Sequence, residues 1–221
     1  MARVDISEVL RWASSISVLV PLFIYLARSK GASRRVHIIG ALLFVSAACD
    51  LIGFILYREH QSTVILFNAY YAILFLLLTW FYYEILFIKD RRVMLWIGLA
   101  IYLQSYVLIT FFVQSFFEYQ TLMWVITAII MIIYGIAYFI YSLSSLPTSS
   151  VFSYTFVWIN SGVLIYFCMN LFLFILGNHV LTKLDSEMSL LIWSFHNVNN
   201  IIKNILFAVG IYFYRKKVIA F

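Results

Sequence analysis

The sequence predicts an all-α membrane protein, a bundle of seven transmembrane helices with its N-terminus outside and its C-terminus in the cytoplasm. Three observations carry that expectation. Of 221 residues, 65% are hydrophobic and only 11% are charged, too little charge to cover the surface of a soluble domain. The apolar residues fall in runs of about 20, the length that crosses a hydrocarbon core of about 30 Å at about 1.5 Å per residue. The breaks between runs are short and collect most of the charge.

Seven such runs are read in order: 8–28, 36–57, 63–88, 93–114, 119–143, 152–177 and 189–213. The first follows a short polar start and stays apolar after Arg11, long enough to remain as a helix rather than a cleaved signal. RSKGASRR separates the first two, REHQS the second and third, and KDRR the third and fourth. QSFFEYQ, SLSSLPTSS and GNHVLTKLDSE close the next three, and YRKK ends the last. The runs are too long and too evenly apolar for barrel strands, and the chain 1–221 reads as one domain.

Direction follows from charge. One side receives Arg28, Lys30, Arg34, Arg35, Lys89, Arg91, Arg92, Arg215, Lys216 and Lys217 against Asp90 alone. The other receives Arg3, Arg11, Arg58 and Lys183 against Asp5, Glu8, Glu59, Glu118, Asp185 and Glu187. The positive-inside rule places the first side in the cytoplasm. The net charge of +6 therefore marks helix ends facing anionic lipid, not a nucleic-acid surface. Cys49 and Cys168 lie inside apolar runs and read as small buried hydrophobes, with neither a disulfide nor a metal site expected.

Three charges remain inside the spans: Asp50, Glu84 and Lys203. An ionisable group at such depth costs about 2.5–3.5 kcal/mol on insertion scales, so these positions are the places to look for function. Lys203 stands in FHNVNNIIKNILF. Projected at 100° per residue, His196, Asn197, Asn199, Asn200, Lys203 and Asn204 share an arc of about 160°, opposite Val198, Ile202, Ile205 and Val209. One face of this helix is thus expected to line an interior.

Depth supplies partners. Lys203 lies about 18 Å from the cytoplasmic edge, Asp50 about 22 Å and Gln104 about 18 Å. The candidate ligand-binding set is therefore Asp50, Gln104, His196, Asn197, Asn199, Asn200, Lys203 and Asn204, with Asp50 and Lys203 expected to pair. Glu84 lies near the cytoplasmic edge, within reach of Lys89, Arg91 or Arg92. Asn68, Asn160, Ser161 and Asn170 read as interhelical glue.

Several resemblances follow from these residues. Seven spans with a lysine midway along the last are similar to microbial rhodopsins, in which that lysine, here Lys203, would carry retinal. That family's acidic counter-ion on span three and Trp…Tyr-Pro pattern on span six are missing from FNAYYAILFLLLTWFYYEILF and FVWINSGVLIYFCMNLF, so no retinal is expected. ALLFVSAACDLIGFIL around Asp50 resembles a span of lysoplasmalogenase-type membrane hydrolases, whose further acids have no counterpart here. WSFHNVNNIIKNILFAVGIYFYRKK resembles the last span of a group of short bacterial seven-helix proteins, some thought to work beside signalling kinases. That likeness implies a sensor of the bacterial inner membrane with a separate signalling partner.

No GxSxG, HExxH or glycine-rich phosphate loop occurs, and no enzyme activity is expected. The expected function is a receptor-like sensor that binds a small molecule or ion among the interior polar residues. The alternative is a small-solute or ion transporter using the same site.

Overall fold

The computed structural model describes residues 6–86, 89–145, 155–182 and 186–214. Among them are eight helices: α1 (Ile6–Ser17), α2 (Leu19–Arg28), α3 (Arg34–Arg58), α4 (Val64–Ile85), α5 (Lys89–Phe112), α6 (Thr121–Ser145), α7 (Thr155–Thr182) and α8 (Ser186–Tyr212).

The first span, expected as one helix over 8–28, runs over Ile6–Arg28 and is interrupted at a single position, Val18, whose backbone angles stay helical (φ −64°, ψ −25°). Pro21 has no N–H to offer the Ser17 carbonyl, and its ring crowds that oxygen. The chain turns at Val18 and restarts at Leu19, with the Leu22 N–H reaching the Val18 carbonyl at 3.3 Å. Three other boundaries differ from the sequence reading. KDRR was expected as a connection but opens α5, whereas α4 ends at Ile85 rather than 88. GNHVLT was also expected as a break and instead extends α7 to Thr182. Gly31 makes the tight turn before α3 with φ 72°, a conformation that glycine adopts without penalty.

The helices close into a ring. The α1–α2 pair packs on α8, α8 on α7, α7 on α6, α6 on α4, α4 on α3, and α3 back on α2. α5 lies outside this ring, against α4 and α6. The interior is aromatic: Phe75, Phe81, Tyr82, Tyr134, Phe167 and Phe174 are buried, and Tyr71 stacks on Trp124 with ring centroids 4.8 Å apart. Asn160 joins three helices, accepting from Tyr82 Oη at 2.8 Å and donating to the Gly135 carbonyl at 3.1 Å.

The outside carries many large apolar side chains. Phe23, Leu51, Phe111, Phe112, Phe117 and Phe172 are between 61% and 79% exposed. Such a surface is stable only against hydrocarbon. Among the described residues, six segments are long and apolar enough to cross a membrane: Ile6–Arg28, α3, α4, Arg92–Phe112, Thr121–Ser144 and Thr155–Gly177. The chain is thus a polytopic membrane protein by the length and composition of its helices. α8 is not among the six, although its 27 residues reach about 40 Å. Its amides and lysine lower its mean hydropathy.

Basic residues gather at one end of the ring. There Arg28 Nη1 donates to the Tyr212 carbonyl at 2.5 Å, Arg34 pairs with Glu84 at 3.3 Å, and Arg92 lies over the Tyr83 ring at 4.5 Å. Glu84 was expected to reach Lys89, Arg91 or Arg92. Its partner is Arg34 of α3, and the side chains of Lys89 and Arg91 lie outside the described residues.

Candidate functional site

α3 runs through the bundle with a carboxylate near its middle, and α8 turns its polar face inward toward it. Asp50, His196, Asn200, Lys203 and Asn204 line one cavity of about 70 Å³. Val18 at the break in the first span, Ser46 and Cys49 of α3, Phe67, Tyr70 and Tyr71 of α4, and Tyr166 of α7 complete its wall. Four helices and the Val18 joint of the first span thus meet at one polar point, beside the one backbone bond that Pro21 cannot make.

Asp50 and Lys203 share this cavity without forming the expected pair: among the described residues no ion pair within 4.0 Å joins them. The Lys203 ammonium lies over the face of Tyr166 instead, 4.7 Å from its centroid. A desolvated cation gains about 2 kcal/mol from such a ring. Both residues line the same cavity.

His196 is held from both sides. Its ring packs near Trp193, Tyr166 and Phe174, with centroids 5.3, 5.6 and 6.3 Å away. Its Nδ1 lies 3.1 Å from Asn170 Oδ1. Asn170 Nδ2 donates to the Tyr166 carbonyl at 2.7 Å, so the Asn170 oxygen is fixed as the acceptor. Nδ1 must then carry the proton toward Asn170, which leaves Nε2 as an acceptor on the neutral ring. Asn199, 1% exposed, donates to the same Asn170 oxygen at 3.5 Å.

Asn200 and Asn204 grip the broken span. Asn200 Nδ2 donates to Ser14 Oγ at 2.9 Å and Asn204 Nδ2 to Ser17 Oγ at 2.7 Å, while Ser17 Oγ donates to the Ser14 carbonyl at 2.6 Å. Residues four apart on α8 thus meet residues three apart on α1, as stacked helical faces require. Asn204 is 1% exposed, and its Oδ1 has no hydrogen-bond partner. A buried acceptor left unmet costs about 1–3 kcal/mol.

Of the sequence-predicted set, the structure gathers Asp50, His196, Asn200, Lys203 and Asn204 around the cavity. Asn199 sits behind it, and Asn197 is half-buried outside the lining. Gln104 is a correction. Its depth matched, but α5 stands outside the ring, and Gln104 is exposed on the bundle's surface. Depth fixes height and leaves the azimuth open. Asn170, read as glue, orients His196, and Ser14 and Ser17 were missed. Their signal was present in SSISVLVP: two serines one turn apart, just ahead of a proline.

A ring of apolar helices closed around an aromatic interior with a small polar cavity defines the class, a polytopic helical membrane protein. No protein-family model, curated protein or solved structure matches the chain.

Proposed function

We propose that α8 is a seventh span, that the N-terminus faces outward, and that the protein is a receptor-like sensor. Its ligand would be a small molecule or ion in the cavity between Asp50 and Lys203. The observation that carries this reading is a carboxylate-bearing and an amine-bearing side chain lining one cavity with no ion pair within 4.0 Å between them. Glue residues bond directly; these leave room. The volume supports a ligand of a few heavy atoms, since about 70 Å³ is far below the 300–1,000 Å³ of a site for a drug-sized molecule.

The break in the first span supports sensing. An occupant beside Val18 bears on the hinge between α1 and α2, and the far end of α2 touches the end of α8 through Arg28 and Tyr212. Occupancy would thereby move the basic end, where a separate signalling partner docks. Thermal unfolding of the purified protein against a panel of small ions, amines, acids and polyols tests the site. At least one solute should raise Tm in the wild type and not in Asp50→Asn; no response to any of them defeats the reading.

The same break also favours a second reading. Interrupted helices beside a polar site near mid-membrane are a recurrent feature of transporters. Accumulation of the stabilising solute in proteoliposomes would assign transport, and binding without accumulation would assign sensing.

A further inference from the structure

We infer that the open cleft between the end of α2 and the end of α8 holds the phosphate of one anionic phospholipid, whose acyl chains run down the outside of α2. The inference stands apart from the inner cavity and its ligand.

The cleft has a volume of about 300 Å³ and is lined by Ala27, Arg28, Lys30 and Tyr214. Each polar side chain in that lining has a hydrogen to give. Arg28 Nη1 donates to the Tyr212 carbonyl, while its guanidinium lies over the Tyr212 ring at 4.6 Å. That bond uses one donor of the fork, and the others meet no acceptor among the described residues. Lys30 is exposed and, among the described residues, makes no hydrogen bond or ion pair. Tyr214 Oη accepts from the Ser33 N–H at 2.9 Å, which leaves its own O–H to donate elsewhere. Two of the three donors are thus held in place before anything binds, which lowers the ordering cost of binding.

The sign of charge follows from this lining. Arg28 and Lys30 bring two positive charges to one cleft. Among the described side chains of the basic end the one carboxylate is Glu84, and Arg34 holds it at 3.3 Å. A cation would meet only donors here, and a neutral solute would leave the two like charges uncompensated. A phosphate diester offers two bare oxygens, suited to the planar guanidinium fork and to the point charge of Lys30.

The surroundings decide between a lipid and a free phosphate. Phe23 is 66% exposed and stands four residues before Ala27, so it shares that face of α2 about 5.4 Å deeper, one helical turn. Leu26 and Phe213, which adjoin the lining residues in the chain, are also exposed. A free phosphate would touch none of this apolar surface. A lipid seats its headgroup in the cleft and lays its chains on the face below.

Native mass spectrometry of the full-length protein in neutral detergent tests the site, with dioleoyl phosphatidylglycerol and dioleoyl phosphatidylcholine as probes. The first phosphatidylglycerol should bind at least about tenfold tighter than phosphatidylcholine, whose choline offsets the phosphate charge. Lys30→Gln should weaken it about tenfold, the loss of one charge-assisted hydrogen bond, in a fold that the lysine does not brace. Arg28→Lys keeps the charge, loses the fork, and should weaken binding about fivefold. Lys89→Gln removes a charge at the start of α5, outside the ring, and should leave binding within about twofold because exposed charges away from the cleft are screened. Equal losses in Lys30→Gln and Lys89→Gln would reduce the effect to diffuse attraction and overturn the site. Equal affinity for the two lipids would overturn it as well. Displacement of the lipid by millimolar inorganic phosphate would show that the acyl chains add nothing, and the lipid would give way to a soluble anion.

Discussion

Removing the charges of Asp50 and Lys203 separately and together gives the most direct test of the site. Lys203→Met leaves the carboxylate alone in the cavity, and Asp50→Asn leaves the ammonium with only the Tyr166 ring. Each single change strands a charge in a space with little water, while the double change leaves none. The coupling has an upper bound: no contact closer than 4.0 Å joins the pair, and at that distance two unit charges in an effective dielectric of about 20 gain about 4 kcal/mol. Because Lys203 is 8% exposed, solvent screening is weak, and a coupling of about 1–4 kcal/mol is expected. The double variant should therefore be more stable than the sum of the singles by that amount, about 5-fold to 1,000-fold in the unfolding equilibrium. Reversible unfolding in mixed micelles, followed by circular dichroism on the four proteins in salt-free buffer, measures it. Additivity within about 0.5 kcal/mol would show that carboxylate and amine do not sense each other.

Further outcomes are expected. Gly210→Ala should destabilise by up to about 2 kcal/mol, since its Cβ would lie 2.8 Å from the Thr155 carbonyl; overpacking of about 1–3 kcal/mol outweighs about 1 kcal/mol of helix propensity. Gly53→Ala, whose nearest neighbour is Leu66 at 3.6 Å, should stabilise by about 1 kcal/mol in the same unfolding assay, and equal effects would contradict the packing. Gln104→Leu should change stability by less than about 0.5 kcal/mol, whereas Asn170→Leu should cost about 1–3 kcal/mol by stranding the His196 N–H, again read by unfolding. In a Cys168→Ser background, a membrane-impermeant maleimide should label His60→Cys in intact cells and Lys30→Cys only after permeabilisation; the reverse pattern would invert the orientation.

The membrane class and the helix positions were legible in the sequence because span length and apolar content are one-dimensional quantities. The inward face of α8 was legible too, since helical periodicity converts sequence spacing into direction. Asp50 was matched to Lys203 by counting residues from charged ends, and both line the cavity. The same count failed for Gln104, because α5 packs on α4 and α6 outside the ring, and ring order is a property of the whole assembly. The hinge at Val18 was written in Pro21, but long apolar content masked it: hydropathy averages over a window, whereas a proline acts on one carbonyl. Tyr166 and Asn170 were hidden for a third reason. Their roles lie in partners on α4 and α8, and a tyrosine or asparagine on a mostly apolar span looks the same whether it is glue or lining.

The two asparagines on α8 tie the cavity to the hinge. An amide group is planar and rigid, so the oxygen and nitrogen of Asn204 cannot reorient independently. The nitrogen holds Ser17 at 2.7 Å on the broken span, and the oxygen is the unmet acceptor on a residue that lines the cavity. An occupant that displaces the Asn204 side chain must turn the same plane that grips Ser17, and Pro21 has already removed a backbone bond that would resist bending there. The far end of the hinge is sensitive to such a turn, since Arg28 of α2 bonds the Tyr212 carbonyl and the Ser33 N–H donates to Tyr214 Oη at 2.9 Å. Spin labels on α2 and α5 at that end should therefore change separation when the cavity fills. Asn204→Ala should abolish the change while leaving the helical content intact. A distance change that survives Asn204→Ala would mean that the amide is a bystander and that the hinge responds to the cavity by some other contact.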